Sequence, residues 1–92
     1  MDVKQAVHTA REYVVSLYDE EEIMDIGLEE VEFDYCSDQW RVTIGFSRPW
    51  DRAKEVGIRM ADFQRPRSYK VVRIDDDGKI VSLKDRILVR SD

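Results

Sequence analysis

Residues 31–46 read VEFDYCSDQWRVTIGF, and apolar side chains occupy every second position on both sides of a polar turn in this stretch. That period is typical of strands with one buried and one solvent-exposed face. The pattern predicts a β-hairpin, and upstream of it Gly27 and the doublet Glu29-Glu30 predict a bulge in the first strand. Core and ion-pair positions agree on a register that pairs Tyr35 with Trp40, Phe33 with Val42, Val31 with Ile44 and, on the solvent face, Asp34 with Arg41.

A second hairpin is predicted around the turn sequence DDDGK, residues 75–79. Asp-Gly favours a two-residue turn in which both central residues have positive φ, and this turn places the neighbouring aliphatic side chains on one face. We therefore expect positive φ at Gly78 and strands over about 68–84, with a continuation through Ile87 and Val89 left open. The predicted pairs are Asp76 with Lys79, Ile74 with Val81, and Val72 with Leu83.

The N-terminal segment has the period of a helix. Apolar residues recur at alternating steps of four and three from Val3 to Leu17, and Asp2 stands where an N-cap residue would accept free amide hydrogens. We predict one helix over about 3–18, which ends where the acidic run at 19–22 would oppose the helix dipole. Its apolar stripe has to be buried, so we expect Val14 and Leu17 to lie against Val31, Phe33, Val42 and Ile44.

These elements predict a single α+β domain over residues 1–92, in which one N-terminal helix packs across a four-stranded antiparallel sheet. The hairpins occupy about 26–47 and 68–84, and residues 48–67 join them as a long connector with a proline near each end. The connector holds six basic and three acidic residues, whereas the whole chain has a net charge of −5. The charge of the connector is therefore opposite to that of the rest of the domain.

The composition and the N-terminal sequence argue against several classes of function and location. A chain of 92 residues can fill one core, and its net charge of −5 argues against general binding to nucleic acid or to an anionic membrane. No apolar run approaches the roughly 18 residues that a membrane-spanning helix needs, and the N-terminal sequence lacks the pattern of a secretory signal. The single cysteine, Cys36, cannot form an intramolecular disulfide, which suits a reducing compartment. We therefore expect a cytoplasmic protein.

The order helix, strand, strand, connector, strand, strand resembles that of PepSY-like domains and of the wider group of cystatin-like folds. The ending at residues 69–81, of the form Tyr-x-Val-Val-x-Ile-Asp-x-x-Gly-Lys-Ile-Val, contributes to this resemblance. The resemblance implies one helix across a curled antiparallel sheet, and a noncatalytic domain that binds or inhibits other proteins, often peptidases. It carries over no catalytic residue, because the family pattern has none.

The residues that could take part in catalysis or metal binding are better explained as parts of the fold. His8 could act as a general base, but a lone histidine on a helix is more typical of surface structure. One His and one Cys cannot assemble a conventional zinc site, and a calcium loop counted from Asp75 ends at Arg86, where a bidentate glutamate would be needed. Cys36 has no basic neighbour closer in sequence than Arg41, so nothing marks it as an activated thiolate. We therefore expect no catalytic residue, cofactor or metal.

The remaining candidate site is the segment FSRPW, residues 46–50, together with the basic connector that follows it. Trp, Phe and Arg are enriched at protein-binding hot spots, and loops commonly carry binding residues. The opposing interpretation is that Trp50 folds over the sheet edge and the arginines balance the acidic body. The predicted partner-binding residues are Arg48, Trp50, Arg52, Lys54, Arg59, Phe63 and Arg65.

These features predict a noncatalytic module that binds another protein, such as an inhibitor or an immunity-type partner. One alternative is a small ligand-binding protein or enzyme subunit that uses the open face of the sheet and the 48–67 connector. Another is self-association, as a homodimer, through the outer sheet face or an exposed edge strand.

Overall fold

A computed structural model of the protein describes residues 1–48 and 67–86. One helix packs on one face of a four-stranded antiparallel sheet with the strand order β1-β2-β3-β4, which confirms the predicted α+β fold. A single 3-10 turn, Asp19–Glu21, joins the helix to the sheet. The elements are α1 (Val3–Leu17), β1 (Met24–Asp34), β2 (Gln39–Ser47), β3 (Ser68–Asp75) and β4 (Ile80–Asp85).

The start of α1 is fixed by a capping box. The backbone N–H of Gln5 donates to the carboxylate of Asp2 at 2.8 Å, and the backbone N–H of Asp2 donates to the side-chain oxygen of Gln5 at 2.8 Å. These bonds satisfy donors that a helix terminus otherwise leaves free, so the predicted N-cap is confirmed. The helix ends at Leu17, and Tyr18 follows as the C-cap.

The core lies between α1 and the two central strands. Ala6, Ala10 and Val14 form the buried stripe of the helix, and the two alanines allow its backbone to approach the sheet closely. The sheet residues of the core have 0–1% of their surface exposed: Val42, Ile44, Phe46, Val72 and Ile74. The predicted packing of Val14 with Val42 and Ile44 is confirmed, and Val31 packs against this core from β1.

Leu17 does not enter the core, and this prediction is wrong. Its side chain is 51% exposed, and Val3 at the other end of the helix is 45% exposed. Tyr18 instead packs on Phe46, with the ring centroids 5.0 Å apart. The tyrosine ring therefore covers this end of the core, and α1 buries only its middle turns.

Phe33 was also expected in the core but belongs to an aromatic cluster at the end of the first hairpin. Its ring centroid lies 5.0 Å from that of Trp40 and 4.9 Å from that of Tyr35. Both pairs are edge-to-face, the geometry that the charge distribution of aromatic rings favours. Tyr35 is 84% exposed, so this cluster extends from the core edge into solvent.

The first hairpin turns through residues 35–38, and its register differs from the predicted one by two positions. The turn accounts for the difference, because the backbone N–H of Cys36 donates to the carboxylate of Asp34 at 3.0 Å and closes the chain locally. A shift of two leaves each side chain on its predicted face, since the side-chain period is two. The observed pairs, which replace the predicted Tyr35–Trp40, Phe33–Val42, Val31–Ile44 and Asp34–Arg41, are Phe33–Trp40, Val31–Val42, Leu28–Ile44 and Glu32–Arg41.

The second hairpin turns through three residues rather than two: Asp76, Asp77 and Gly78. The backbone N–H of Asp75 donates to the carbonyl oxygen of Lys79 at 2.9 Å, so Asp75, and not Asp76, lies opposite Lys79. The carboxylate of Asp75 also accepts the backbone N–H groups of Asp77 and Lys79, each at 2.9 Å. Gly78 has a φ of +90°, which confirms the predicted positive φ at this position.

A bulge in β4 compensates for the longer turn. Ile74 pairs with Ile80, so its predicted pairing with Val81 is wrong. The register then shifts by one residue, which restores the predicted pairing of Val72 with Leu83. Ile80 and Leu83 pack against the core, while Val81 is 48% exposed. The predicted continuation at residues 87–89 lies outside the described residues.

Candidate functional site

Arg48 is the one predicted partner-binding residue that lies in the described part of the chain. Its guanidinium carbon is 5.0 Å from the ring centroid of Tyr18 and 5.5 Å from that of Phe46. Its Nε atom is 3.8 Å from a carboxylate oxygen of Glu21, and its side chain is 18% exposed. Arg48 is therefore packed onto the domain rather than projecting from it. The predicted residues outside the described ranges are Trp50, Arg52, Lys54, Arg59, Phe63 and Arg65.

An ion pair between β3 and β4 lies at the same end of the sheet. Lys70 pairs with Asp85, and the Nζ atom of Lys70 lies 5.7 Å from the ring centroid of Tyr18. Burial lowers the pKa of Lys70, but interactions with Asp85 and then Tyr18 outweigh it and raise this pKa above its usual 10.5. The hydrogen bond from Lys70 is the main cause that lowers the pKa of Asp85 below its usual 3.8. Both shifts favour the charge that each group already carries at neutral pH, so the pair is suited to holding the sheet together.

The face of the sheet opposite α1, called the outer face below, carries acidic side chains of β1. Four of them are each paired with an arginine from elsewhere in the sheet or its ends, and Asp34 keeps the predicted ion pair with Arg41 although the register has shifted. The pKa of Asp34 is lowered mainly by the backbone N–H of Cys36, with a smaller contribution from Arg41. The ion pairs are Arg41 with Glu32 at 2.8 Å and Asp34 at 3.1 Å, Arg67 with Glu29 at 3.4 Å, and Arg86 with Glu30 at 4.0 Å.

An apolar groove lies between the helix and the first strand, and we call it the α1–β1 groove. It encloses about 390 Å³, and its apolar lining comes from Val3 and Val7 of α1 and from Leu28 and Val31 of β1. Val3 and Leu28 are 45% and 48% exposed, so this lining is open to solvent. The polar residues that complete the lining are Lys4, His8 and Arg11.

The groove runs beside an edge of the sheet. Among the described strands only β2 pairs with β1, so the other backbone edge of β1 has no strand partner there. A register shift between Leu28 and Glu30 confirms the predicted bulge. With Glu29 as the additional residue, Leu28 and Val31 both face α1 although they are three positions apart.

The other candidate residues show no reactive arrangement. His8 is exposed and also lines a depression between α1 and the second hairpin turn, with Lys4, Asp76 and Asp77. Cys36 is a free, exposed thiol in the first turn. Within residues 1–48 and 67–86, no three His, Cys, Asp or Glu side chains are grouped so that they could hold a metal ion. No helix in these ranges is long and apolar enough to cross a membrane.

Comparison with protein families, curated proteins and solved structures gives no match for this chain. The resemblance to PepSY-like and cystatin-like domains therefore stays a prediction.

The α1–β1 groove was not predicted from the sequence. When the alternation of residues 31–35 is continued toward the N-terminus, Leu28 does not fall on the same face as Val31. The sequence pattern therefore did not assign Leu28 to the apolar face. The usable signal was the Glu29-Glu30 doublet: a bulge at this point moves Leu28 to the side of Val31. The exposure of Val3 depends on where the helix ends relative to the sheet, and no local pattern gives that position.

Proposed function

We propose that this protein is a noncatalytic protein-binding module that captures an extended segment of another protein along β1. The observation that carries the proposal is the α1–β1 groove, which is apolar and open, beside a strand edge that has no neighbour among the described strands. An extended peptide can add to such an edge through main-chain hydrogen bonds, while alternate side chains enter an adjacent pocket.

The chemistry of the groove defines the partner segment. Side chains that face α1 would meet the apolar lining formed by Val7, Leu28 and Val31, so they should be aliphatic or aromatic. Lys4 and Arg11 add two positive charges beside this lining, and within the described residues neither has an ion-pair partner. The segment should therefore combine apolar residues with carboxylates on the face that it turns toward the helix.

A partner of another kind is favoured over a second copy of this chain. Antiparallel pairing of two β1 strands would bring Glu30 and Glu32 of both copies together at one junction, and like charges on adjacent strands are destabilising. The bulge at Glu29 also interrupts the flat edge that unspecific strand pairing requires. Both features restrict the edge to a partner with matching charge and shape.

On this proposal the protein has no active site of its own and works in the cytoplasm. Among the described residues, the titratable groups with shifted pKa values are Asp34, Lys70 and Asp85, and each is held by partners in the fold. Cys36 is an exposed thiol and the chain has no second cysteine, which fits a reducing compartment.

The test compares two edge substitutions after a partner has been captured from the source cells and its binding segment has been made as a peptide. Leu28→Asp places a charge in the groove, whereas Val81→Asp places one on the opposite edge strand at a residue of equal exposure, 48%. We expect the peptide affinity to fall at least about tenfold for Leu28→Asp and to stay nearly unchanged for Val81→Asp. Hydrogen exchange should show that the bound peptide protects the backbone amides of β1.

Three outcomes would contradict the proposal. Equal losses for both variants would show that the groove has no special role. Protection confined to β4 or to the outer face would move the binding site elsewhere. Concentration-dependent dimerisation that Leu28→Asp abolishes, without capture of another protein, would show that the occupant of the groove is a second copy of this chain.

A further inference from the structure

We propose that the outer face of the sheet carries a second, independent site that binds a phosphate group. The site is a depression of about 290 Å³ on β2, β3 and β4, on the other side of the sheet from the α1–β1 groove. We call it the outer-face depression. Its lining residues are Arg41, Val71, Arg73, Ser82, Lys84 and Asp85.

The strand register brings the cationic side chains together. Arg41 on β2 lies directly opposite Arg73 on β3, and Arg73 lies opposite Ser82 on β4. In the next row Val71 lies opposite Lys84. Residues that are direct or diagonal cross-strand neighbours on one face are close enough to contact one ligand.

This arrangement leaves positive charge uncompensated. Like charges directly opposite each other in a sheet are destabilising, and Arg41 is relieved by Glu32 and Asp34. Arg73 donates to the side-chain oxygen of Gln39 at 3.3 Å, but among the described residues no carboxylate lies within ion-pair distance of Arg73 or Lys84.

The acidic residue of the described lining does not cancel this positive charge. Asp85 forms an ion pair with Lys70, whose ammonium lies beside Tyr18 on the helix side of the sheet. Among the described residues that line the depression, Asp85 is the only acidic one and it already has a partner, so the depression offers donors to a ligand.

A phosphate group fits this set of donors. Arginine guanidinium groups form forked hydrogen bonds to phosphate oxygens, an ammonium adds a point charge, and a hydroxyl such as that of Ser82 can donate a further bond. Val71 also lines the depression and adds no charge to it. Because the whole chain carries a net charge of −5, it repels an anion at long range, and binding depends on the local donors.

The experiment is a titration of the isotopically labelled full chain with inorganic phosphate, followed by amide NMR at constant ionic strength. We expect saturable shifts at Val71, Arg73 and Ser82, and at least about tenfold weaker binding for Arg73→Gln. Lys79→Gln, which removes the same charge from the exposed second turn, is the matched control and should bind as the wild type does. Arg73→Lys keeps the charge without the fork and should bind with intermediate affinity.

Lys84→Gln supplies a second variant at an exposed position, so the proposal stays testable if Arg73→Gln fails to fold. We expect it to weaken phosphate binding, and we expect Leu28→Asp to leave phosphate binding unchanged because the groove is on the other side of the sheet. Loss of peptide capture and loss of phosphate binding are thus separable.

A short phosphoserine peptide distinguishes two sources of the phosphate group. Binding at least about tenfold tighter than that of inorganic phosphate would indicate a phosphorylated protein segment, and equal or weaker binding would indicate a free phosphate compound. The proposal is overturned if the shifts grow linearly without saturation, if Lys84→Gln and Lys79→Gln bind phosphate equally, or if acetate binds as tightly as phosphate.

Discussion

The ring of Tyr18 lies 5.0 Å from the ring of Phe46, and the two planes are inclined by 46°. Arg48 and Lys70 approach the same tyrosine, with the guanidinium carbon and the ammonium nitrogen 5.0 Å and 5.7 Å from its centroid. One residue just beyond the helix thus joins α1 to the ends of β2 and β3. This contact takes the place that the apolar stripe of the helix assigned to Leu17.

Truncation of Tyr18 and of its sequence neighbour Leu17 should therefore have unequal effects on stability. We expect Tyr18→Ala to lower the free energy of unfolding by about 2 kcal/mol or more, because it uncovers Phe46 and removes an aromatic pair. Leu17→Ala should lower it by about 1 kcal/mol or less, since that side chain is already half exposed. Urea denaturation followed by circular dichroism measures both values. A larger loss for Leu17→Ala would mean that the leucine, and not the tyrosine, closes the core.

The second hairpin turn depends on the carboxylate of Asp75. Asp75→Ala removes the acceptor for two backbone N–H groups, and we expect it to lower the free energy of unfolding by about 1–2 kcal/mol. Asp75→Asn keeps a side-chain oxygen and should recover most of this loss. Asp76→Ala, in the exposed part of the turn, is the control and should have little effect. Equal stability of the three variants in urea denaturation would contradict this role.

Gly78 has a backbone conformation that residues with a Cβ atom rarely adopt. At a φ of +90°, Gly78→Val should lower the free energy of unfolding by at least about 1 kcal/mol, because a β-branched residue is strained there. Gly27→Ala is the control, since an added Cβ at Gly27 would meet its nearest neighbour, an Arg67 nitrogen, at an ordinary 3.9 Å. Thermal melts should separate the two variants clearly. A Gly78→Val protein as stable as the wild type would show that the turn has another conformation.

Because of the ion pair between Lys70 and Asp85, we expect the free energy of unfolding to decrease at low pH. The folded state lowers the pKa of Asp85 below 3.8, so the stabilisation is present above that pH and disappears as the pH falls through the lower, folded-state value. We expect Asp85→Asn to flatten the acid limb of a stability curve measured by urea denaturation. Asp19→Asn, at an exposed carboxylate outside the pair, should leave that limb in place. If the stability of wild type and of Asp85→Asn fell in parallel as the pH is lowered, the ion pair would not be the cause of the acid sensitivity.

The same ion pair also predicts an alkaline limb. The folded state raises the pKa of Lys70, so its contribution is present below 10.5 and is lost as the pH rises through the raised value. We expect Lys70→Met to lose this alkaline limb while keeping most of the apolar contact with Tyr18. An unchanged alkaline limb in Lys70→Met would assign it to another group.

Part of the candidate site followed from local patterns and part did not. The Asp34–Arg41 ion pair was predicted correctly even though the register was wrong by two positions, because a shift of two keeps both side chains on the outer face. The outer-face depression depends on Arg41 lying opposite Arg73, and these residues belong to hairpins that the sequence separates by the 48–67 connector. Pairing between hairpins is a long-range contact, so no period within either strand specifies it.

The sequence by itself determined the fold class, the start of the helix, the outer and inner faces of the strands and the positive φ at Gly78. Each of these depends on interactions between residues a few positions apart: a capping box, a period of 3.6 or 2, and the conformational freedom of glycine. Only the tertiary structure decided which strands adjoin, that Tyr18 and not Leu17 closes the core, and that Leu28 opens onto a groove. Those outcomes depend on where the helix ends over the sheet and on how bulges offset the turns, and both are set by packing between segments distant in the chain.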